Sequence, residues 1–158
     1  HTPRQGRTSG RLGTMGFGLP AAVGAALAEP TRKVLCFTGD GSIMMNIQEM
    51  ATAAEHNLDV KIILLNNQAL GLVHQQQTLF YQQNVFAATY SGQTNFLKIA
   101  EGFGLATCDL NAAENPQQAL QEAISRPGPC LIHVRIDASE KVFPMVPPGA
   151  ANIEMIGE

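Results

Sequence analysis

Two short apolar runs, residues 33–38 (Lys-Val-Leu-Cys-Phe-Thr) and residues 60–65 (Val-Lys-Ile-Ile-Leu-Leu), constrain this chain more than any other feature, because each stops at a polar turn. The first ends in Gly39-Asp40-Gly41-Ser42 and the second in Asn66-Asn67. Continuous apolar runs of this length bounded by turn residues read as strands buried on both faces, as in parallel sheets. Between them, from Ser42 to about His56, the apolar residues Ile43, Ile47, Met50, Ala51 and Ala54 fall at helical spacing, and Ser42 is placed to cap the start. Strand, helix and strand make one βαβ unit, which is almost always right-handed.

The rest of the chain repeats the alternation. Residues 20–28 predict a helix with Pro20 in its first turn, stopped by Glu29-Pro30. A Gln-rich stretch over residues 75–83 reads as a loop, residues 95–103 and 116–124 as helices, and residues 130–136 as a strand. The expected fold is α/β, a doubly wound and mostly parallel sheet with helices on both faces. A chain of 158 residues that is 45% hydrophobic suits one domain over residues 1–158. The tail, residues 142–158, carries Pro144, Pro147 and Pro148, which fit neither a helix nor a central strand, so it is expected to wrap the surface or cover a site.

Composition removes several function classes. A net charge of −3 with 10 Lys plus Arg leaves no electrostatic footprint for nucleic acid. No apolar run approaches the roughly 20 residues that span a bilayer, and residues 1–11 lack the apolar core of a signal peptide, so neither membrane insertion nor export is expected. The 3 cysteines Cys36, Cys108 and Cys130 form no CxxC and read as buried thiols of a cytoplasmic protein. The polar start without Met predicts a piece of something longer.

Asp40 and Asn67 fall at the carboxyl ends of two parallel strands, where open α/β sheets form their ligand crevice. A carboxylate and an amide oxygen, with a backbone carbonyl as a third donor, are hard ligands suited to Mg²⁺, which completes its octahedron with phosphate oxygens. Gly41 and Ser42 open the next helix, where free N–H groups favour an anion. A diphosphate bridged by magnesium satisfies both halves. The plain alternative is a helix cap at Asp40 and Ser42 and a turn at Asn66-Asn67. Each half alone fits that alternative; the two together, each after a buried strand, favour the site.

Gly39-Asp40-Gly41 with Asn66-Asn67 resembles the signature of thiamine diphosphate (ThDP) enzymes. Further segments resemble the catalytic subunit of the acetohydroxyacid (acetolactate) synthase family: Thr8-Ser9-Gly10, Leu12 to Pro20, Gly71-Leu72-Val73 followed by Gln75, Leu79-Phe80-Tyr81, and Pro144-Met145-Val146-Pro147. The resemblance implies a ThDP-binding fold, the C-terminal third of a synthase that decarboxylates pyruvate and joins the product to a second 2-oxo acid, for branched-chain amino-acid biosynthesis. It implies metal ligation by Asp40, Asn67 and the carbonyl of Ala69. It places Gly13, Met15, Gly41, Ser42, Gly71, Leu72 and Val73 around the cofactor, with Met15 packing beneath it. It also implies a homodimer, a possible regulatory small subunit and, in the complete enzyme, possible FAD.

Departures from the family pattern sharpen the expectation. Relatives commonly carry Trp where this chain has Gln76, in the substrate pocket, and this chain has no Trp. A weaker preference for 2-oxobutyrate over pyruvate as acceptor follows. Gly6, Arg7 and Arg11 also depart, and Arg11 argues against a tight glycine turn there. The family's pyrimidine-activating Glu comes from another domain, which Glu49 and Glu55 do not replace, so no catalytic residue is expected within these residues. His74 is a weak general-base candidate, being a lone His in a polar loop. Other ThDP decarboxylases, oxidases or carboligases share the diphosphate clamp. A dinucleotide-binding oxidoreductase is the rival from another class, since Gly16-Phe-Gly18-Leu-Pro-Ala21 fits a loose dinucleotide fingerprint, but no apolar strand precedes Gly16. A non-catalytic module would be expected to lose Asp40 or Asn67, and both are present.

Overall fold

The computed structural model describes residues 6–90 and 92–157. The fold divides into two compact units, one of His1–Asn66 with Thr94–Arg135 and the other of Asn67–Gln93 with Ile136–Glu158. In the first unit the elements run α1 (Gly18–Ala28), β1 (Val34–Gly39), α2 (Asp40–Ile43), α3 (Glu49–Glu55), β2 (Val60–Asn66), α5 (Phe96–Gly102), β3 (Ala106–Asp109), α6 (Pro116–Ser125) and β4 (Cys130–Arg135). The second unit holds α4 (Gly71–Phe80) and the tail.

The four strands form one parallel sheet in the order β1-β2-β4-β3. Side chains alternate across a strand, so the apolar residues of β2, in which Lys61 and Asn66 are the polar exceptions, serve two cores. Val60, Ile62 and Leu64 face Leu19, Val23 and Ala26 of α1, Met50 and Ala53 of α3, and Phe96 and Ala100 of α5. Ile63, with Cys130 and Ile132 of β4, packs in a second cluster with Ala123 of α6. Helices therefore cover both faces, as the alternation of elements predicts. Cys36 and Cys130 are buried, and desolvation holds the Cys36 thiol up at about 11, so it behaves as a small apolar side chain.

Several local expectations are corrected. β1 is not buried on both faces: Cys36 and Thr38 are covered, but Leu35 and Phe37 are 47% and 64% exposed. β1 stands at one end of the strand order, and α6 packs on β3 and β4. The single helix expected from Ser42 is two, α2 and α3. Between them Met45 and Asn46 donate backbone N–H bonds three residues back, to Ser42 and Ile43, tightening the chain into a 3-10-like stretch. α3 buries Met50 and Ala53 while Ala51, expected on the apolar face, is exposed. Residues 75–80 are not loop but the continuation of α4, in which Gln is a good helix former. The four-residue strand β3 carries too short a pattern to be read in advance.

In the second unit the tail is tied to α4. The buried Gln75 amide donates to the Val142 carbonyl and accepts the Val142 N–H, both at 2.9 Å. Met145 and Ile156 exchange backbone hydrogen bonds across an antiparallel bridge that closes the tail on itself.

Candidate cofactor site

Asp40 is the first residue of α2, immediately after β1, and is only 3% exposed. Its Oδ1 accepts the Gly41 N–H at 2.8 Å. Ser42 is not the helix cap expected of it; Gly39 holds that position and no side chain caps the helix. The Ser42 hydroxyl instead accepts the Gly16 N–H at 2.9 Å, and Asn46 Nδ2 donates to the Gly16 carbonyl at 3.0 Å. Gly16 is buried with a φ of +84°, and a Cβ there would stand 2.6 Å from Asn46 Nδ2 and 2.7 Å from Met45 Cβ. Only glycine fits, for conformation and space alike.

These bonds tie the Gly13–Gly16 turn to the helix that carries Asp40. Gly10 and Gly13 both take positive φ around a 3-10 turn, Gly10–Leu12, so the glycine turn forms with Arg11 inside it. Met15 is 41% exposed, which is not the environment of an ordinary core methionine, and a Cβ on Gly13 would meet nothing within 4 Å. Among the described residues ahead of Gly16 there is no strand, which removes the dinucleotide fingerprint's structural context.

The second unit presents the other predicted residues. Asn67 Oδ1 accepts the Ala69 N–H at 3.1 Å, an Asx turn that leaves the amide oxygen a further lone pair. Ala69 is buried and bridges Thr89, yet that bridge is bonded through Leu70 N–H to Ala88 and Tyr90 N–H to Gln68, so the Ala69 carbonyl takes no part in it. Gly71, Leu72 and Val73 form the exposed first turn of α4, where an added Cβ on Gly71 would sit 3.0 Å from Asn67 Nδ2. Gln76 is exposed on the same helix. His74 also lies in α4, not in a loop, and its N–H donates to Leu70 within the helix ladder.

The sequence reading missed a polar cluster at the carboxyl ends of β2, β3 and β4. His133 Nδ1 lies 3.3 Å from Asp109 Oδ1, and its Nε2 lies 3.0 Å from Asn66 Nδ2. Asn111 donates to Asp109 Oδ1 from its side chain at 2.6 Å and its backbone at 3.1 Å. Partial burial pushes the Asp109 carboxyl up, but the Asn111 and His133 bonds outweigh it and hold it below the usual range. Asn46 was missed as well. Asn111 and Asp109 are near neighbours, but His133, Asn66 and Asn46 carry no local signal, because their partners are distant in sequence.

Residues 1–134 match the family model described as thiamine pyrophosphate enzyme, C-terminal TPP binding domain. This chain belongs to that family. ThDP domains of this family therefore set the frame for Asp40 and its neighbours. The chain is 77% identical over 156 residues to the acetolactate synthase isozyme 1 large subunit of Escherichia coli (strain K12), covering 99% of this chain and 28% of that protein. It is 47% identical over 157 residues to the isozyme 2 large subunit of the same organism, covering 99% of this chain and 29% of that protein. With the acetolactate synthase large subunit of Pyropia yezoensis it shares 45% identity over 151 residues, or 95% of this chain and 26% of the relative. The chain thus spans less than a third of these curated relatives.

The residues present fit the family's cofactor by donor chemistry. A buried carboxylate, an amide oxygen and a carbonyl outside its neighbouring bridge are hard donors of the kind Mg²⁺ takes beside phosphate. No described helix is long and apolar enough to cross a membrane.

Proposed function

We propose that residues 1–158 form the ThDP-binding domain of an acetolactate synthase large subunit, its C-terminal third, with residues 142–158 as a Pro-containing tail. The observation that carries this is the 77% identity to one such subunit across 99% of the chain, supported by the buried Asp40 at the end of β1. The reaction is the carboligation of 2-oxo acids, two pyruvates giving 2-acetolactate and CO₂. The Asp40 carboxylate, the Asn67 amide oxygen and the Ala69 carbonyl hold Mg²⁺, and Gly41 and Ser42, which open α2, border the diphosphate, although the Gly41 N–H is already held by Asp40 Oδ1. Met15 and Gly13 support the cofactor on one side, and Gly71, Leu72 and Val73 on the other, while Gln76 lines the substrate pocket.

When bound, ThDP would supply the electron sink that lets a 2-oxo acid lose CO₂ and the remaining two-carbon unit join an acceptor. The chain's own work is to bind, orient and exclude water. The activating Glu belongs to a separate domain on a partner subunit, so the enzyme is a homodimer and the 158-residue chain by itself makes no acetolactate. A cytoplasmic location, a regulatory small subunit and FAD in the complete enzyme complete this reading.

The test is Mg²⁺-dependent ThDP binding to the full-length subunit by calorimetry. Asp40→Ala removes the charged ligand and is expected to weaken binding at least about tenfold, the usual scale for a lost charge-assisted contact. NAD binding without ThDP binding overturns the assignment in favour of a dinucleotide domain.

A further inference from the structure

We infer that Asn46, working with Ser42, is a positioning residue for the cofactor: it fixes the angle at which the Gly13–Gly16 turn presents Met15. The inference rests on the reading of Met15 as a cofactor support and adds to it the residues that hold that support in place.

Besides one long Phe17 N–H to Thr14 carbonyl bond at 3.4 Å, the turn has little of its own to aim it. Leu12 is 86% exposed, Met15 41% exposed, and nothing lies within 4 Å of a Cβ built on Gly13, so packing of its own side chains does not set its direction. What sets it is Gly16, whose N–H and C=O are both taken by side chains, Ser42 and Asn46, 26 and 30 positions further on. Two hydrogen bonds on opposite sides of one peptide-flanked residue fix its rotation as well as its position. The positive φ of Gly16 and the closeness of Asn46 Nδ2 and Met45 Cβ leave that residue no room to slide.

Asn46 also accounts for the break between α2 and α3. A continuous helix over these residues would satisfy the apolar pattern, yet the backbone passes through i→i−3 bonds at Met45 and Asn46. Mid-helix tightening of this kind often marks a hinge or a strained stretch. The contact of the Asn46 amide with the Gly16 carbonyl falls in this stretch. Ser42 sits in the same four-residue helix as Asp40. One rigid block thus carries the proposed metal ligand and holds the turn that bears Met15, so the metal side and the packing side of the site are set together. Displacement of an orienting group by about 1 Å is enough to cost on the order of 100-fold in rate.

The experiment uses the full-length holoenzyme and compares Asn46→Asp, Asn46→Ala, Met15→Ala and the Asn46→Asp/Met15→Ala double variant. Asn46→Asp is isosteric but places a carboxylate oxygen where the amide donor met the Gly16 carbonyl, so folding is retained while the clamp is lost. The readouts are ThDP affinity, thermal midpoint, kcat, and the rate at which bound ThDP exchanges its C2 proton for deuterium before any substrate is added. Both Asn46 variants are expected to slow C2 exchange and kcat together by about 10- to 100-fold, with ThDP affinity changed less than threefold. The double variant is expected to be no slower than Met15→Ala alone, because Asn46 acts through Met15. Loss of thermal midpoint or ThDP affinity with C2 exchange unchanged means Asn46 is only structural and overturns the inference, as does a double variant in which the two losses multiply. Where Met15→Ala leaves C2 exchange intact, the cofactor-support reading fails and this inference with it; where Met15→Ala slows exchange and the Asn46 variants do not, this inference alone fails.

Discussion

Lys61 lies in the middle of the core sheet with no exposed surface, paired across to Asp59 Oδ1 at 2.6 Å and donating to the Gly128 carbonyl. Replacing it by Met keeps the apolar stem and removes the ammonium. Gly128 is buried, so its carbonyl loses its donor at a cost of about 1–3 kcal/mol. Asp59 keeps Lys33 3.8 Å from its Oδ2, but its buried Oδ1 loses its cation, which adds about 1 kcal/mol or more. Relief of the ammonium's desolvation returns part of this. The expected net loss for Lys61→Met is about 1–3 kcal/mol. Lys61→Ala also removes three stem carbons, at about 0.8 kcal/mol each before any cavity cost, which brings its loss to about 3–5 kcal/mol. Urea denaturation followed by far-ultraviolet circular dichroism measures both, and at a slope of about 1–3 kcal/mol/M the Met variant's midpoint falls by roughly 1 M. A Met variant as stable as the parent would show that the ammonium's desolvation outweighs its bonds; an Ala variant no worse than Met would show that the stem is not packed.

Two further outcomes are expected. Asp109 is held below its ordinary range when folded, so its contribution is complete above about pH 4 and disappears as the pH falls through the lower folded value. Asp109→Asn should flatten the acid limb of a pH-unfolding curve, and superimposable acid limbs would show that the Asn111 and His133 bonds add nothing to folding. In the full-length subunit, Gln76→Trp restores apolar surface to the proposed pocket and should raise the 2-oxobutyrate-to-pyruvate acceptor ratio several-fold, about 1 kcal/mol or more of added apolar contact; competition assays returning an unchanged ratio would remove Gln76 from the pocket.

The amino-acid sequence alone determined the parallel α/β plan and the two strand ends that matter. Apolar runs, glycine turns and helix stops act over a few residues, and residues 33–38 and 60–65 each carried that signal whole. Membership of the ThDP family followed from Asp40, Asn66 and Asn67 for the same reason, since a motif is a local object. What lay beyond reach were features decided by partners far along the chain. Residues 44–48 had a helical pattern, but the Gly16 peptide drew Asn46 away from it. Lys61 read as one residue of a strand, and only the fold brought Gly128 close enough to let its charge be buried. His133, Asp109 and Asn66 became a cluster because three strands end side by side. Hydrogen bonds of this kind depend on register between strands and loops, and register is fixed only when the sheet closes.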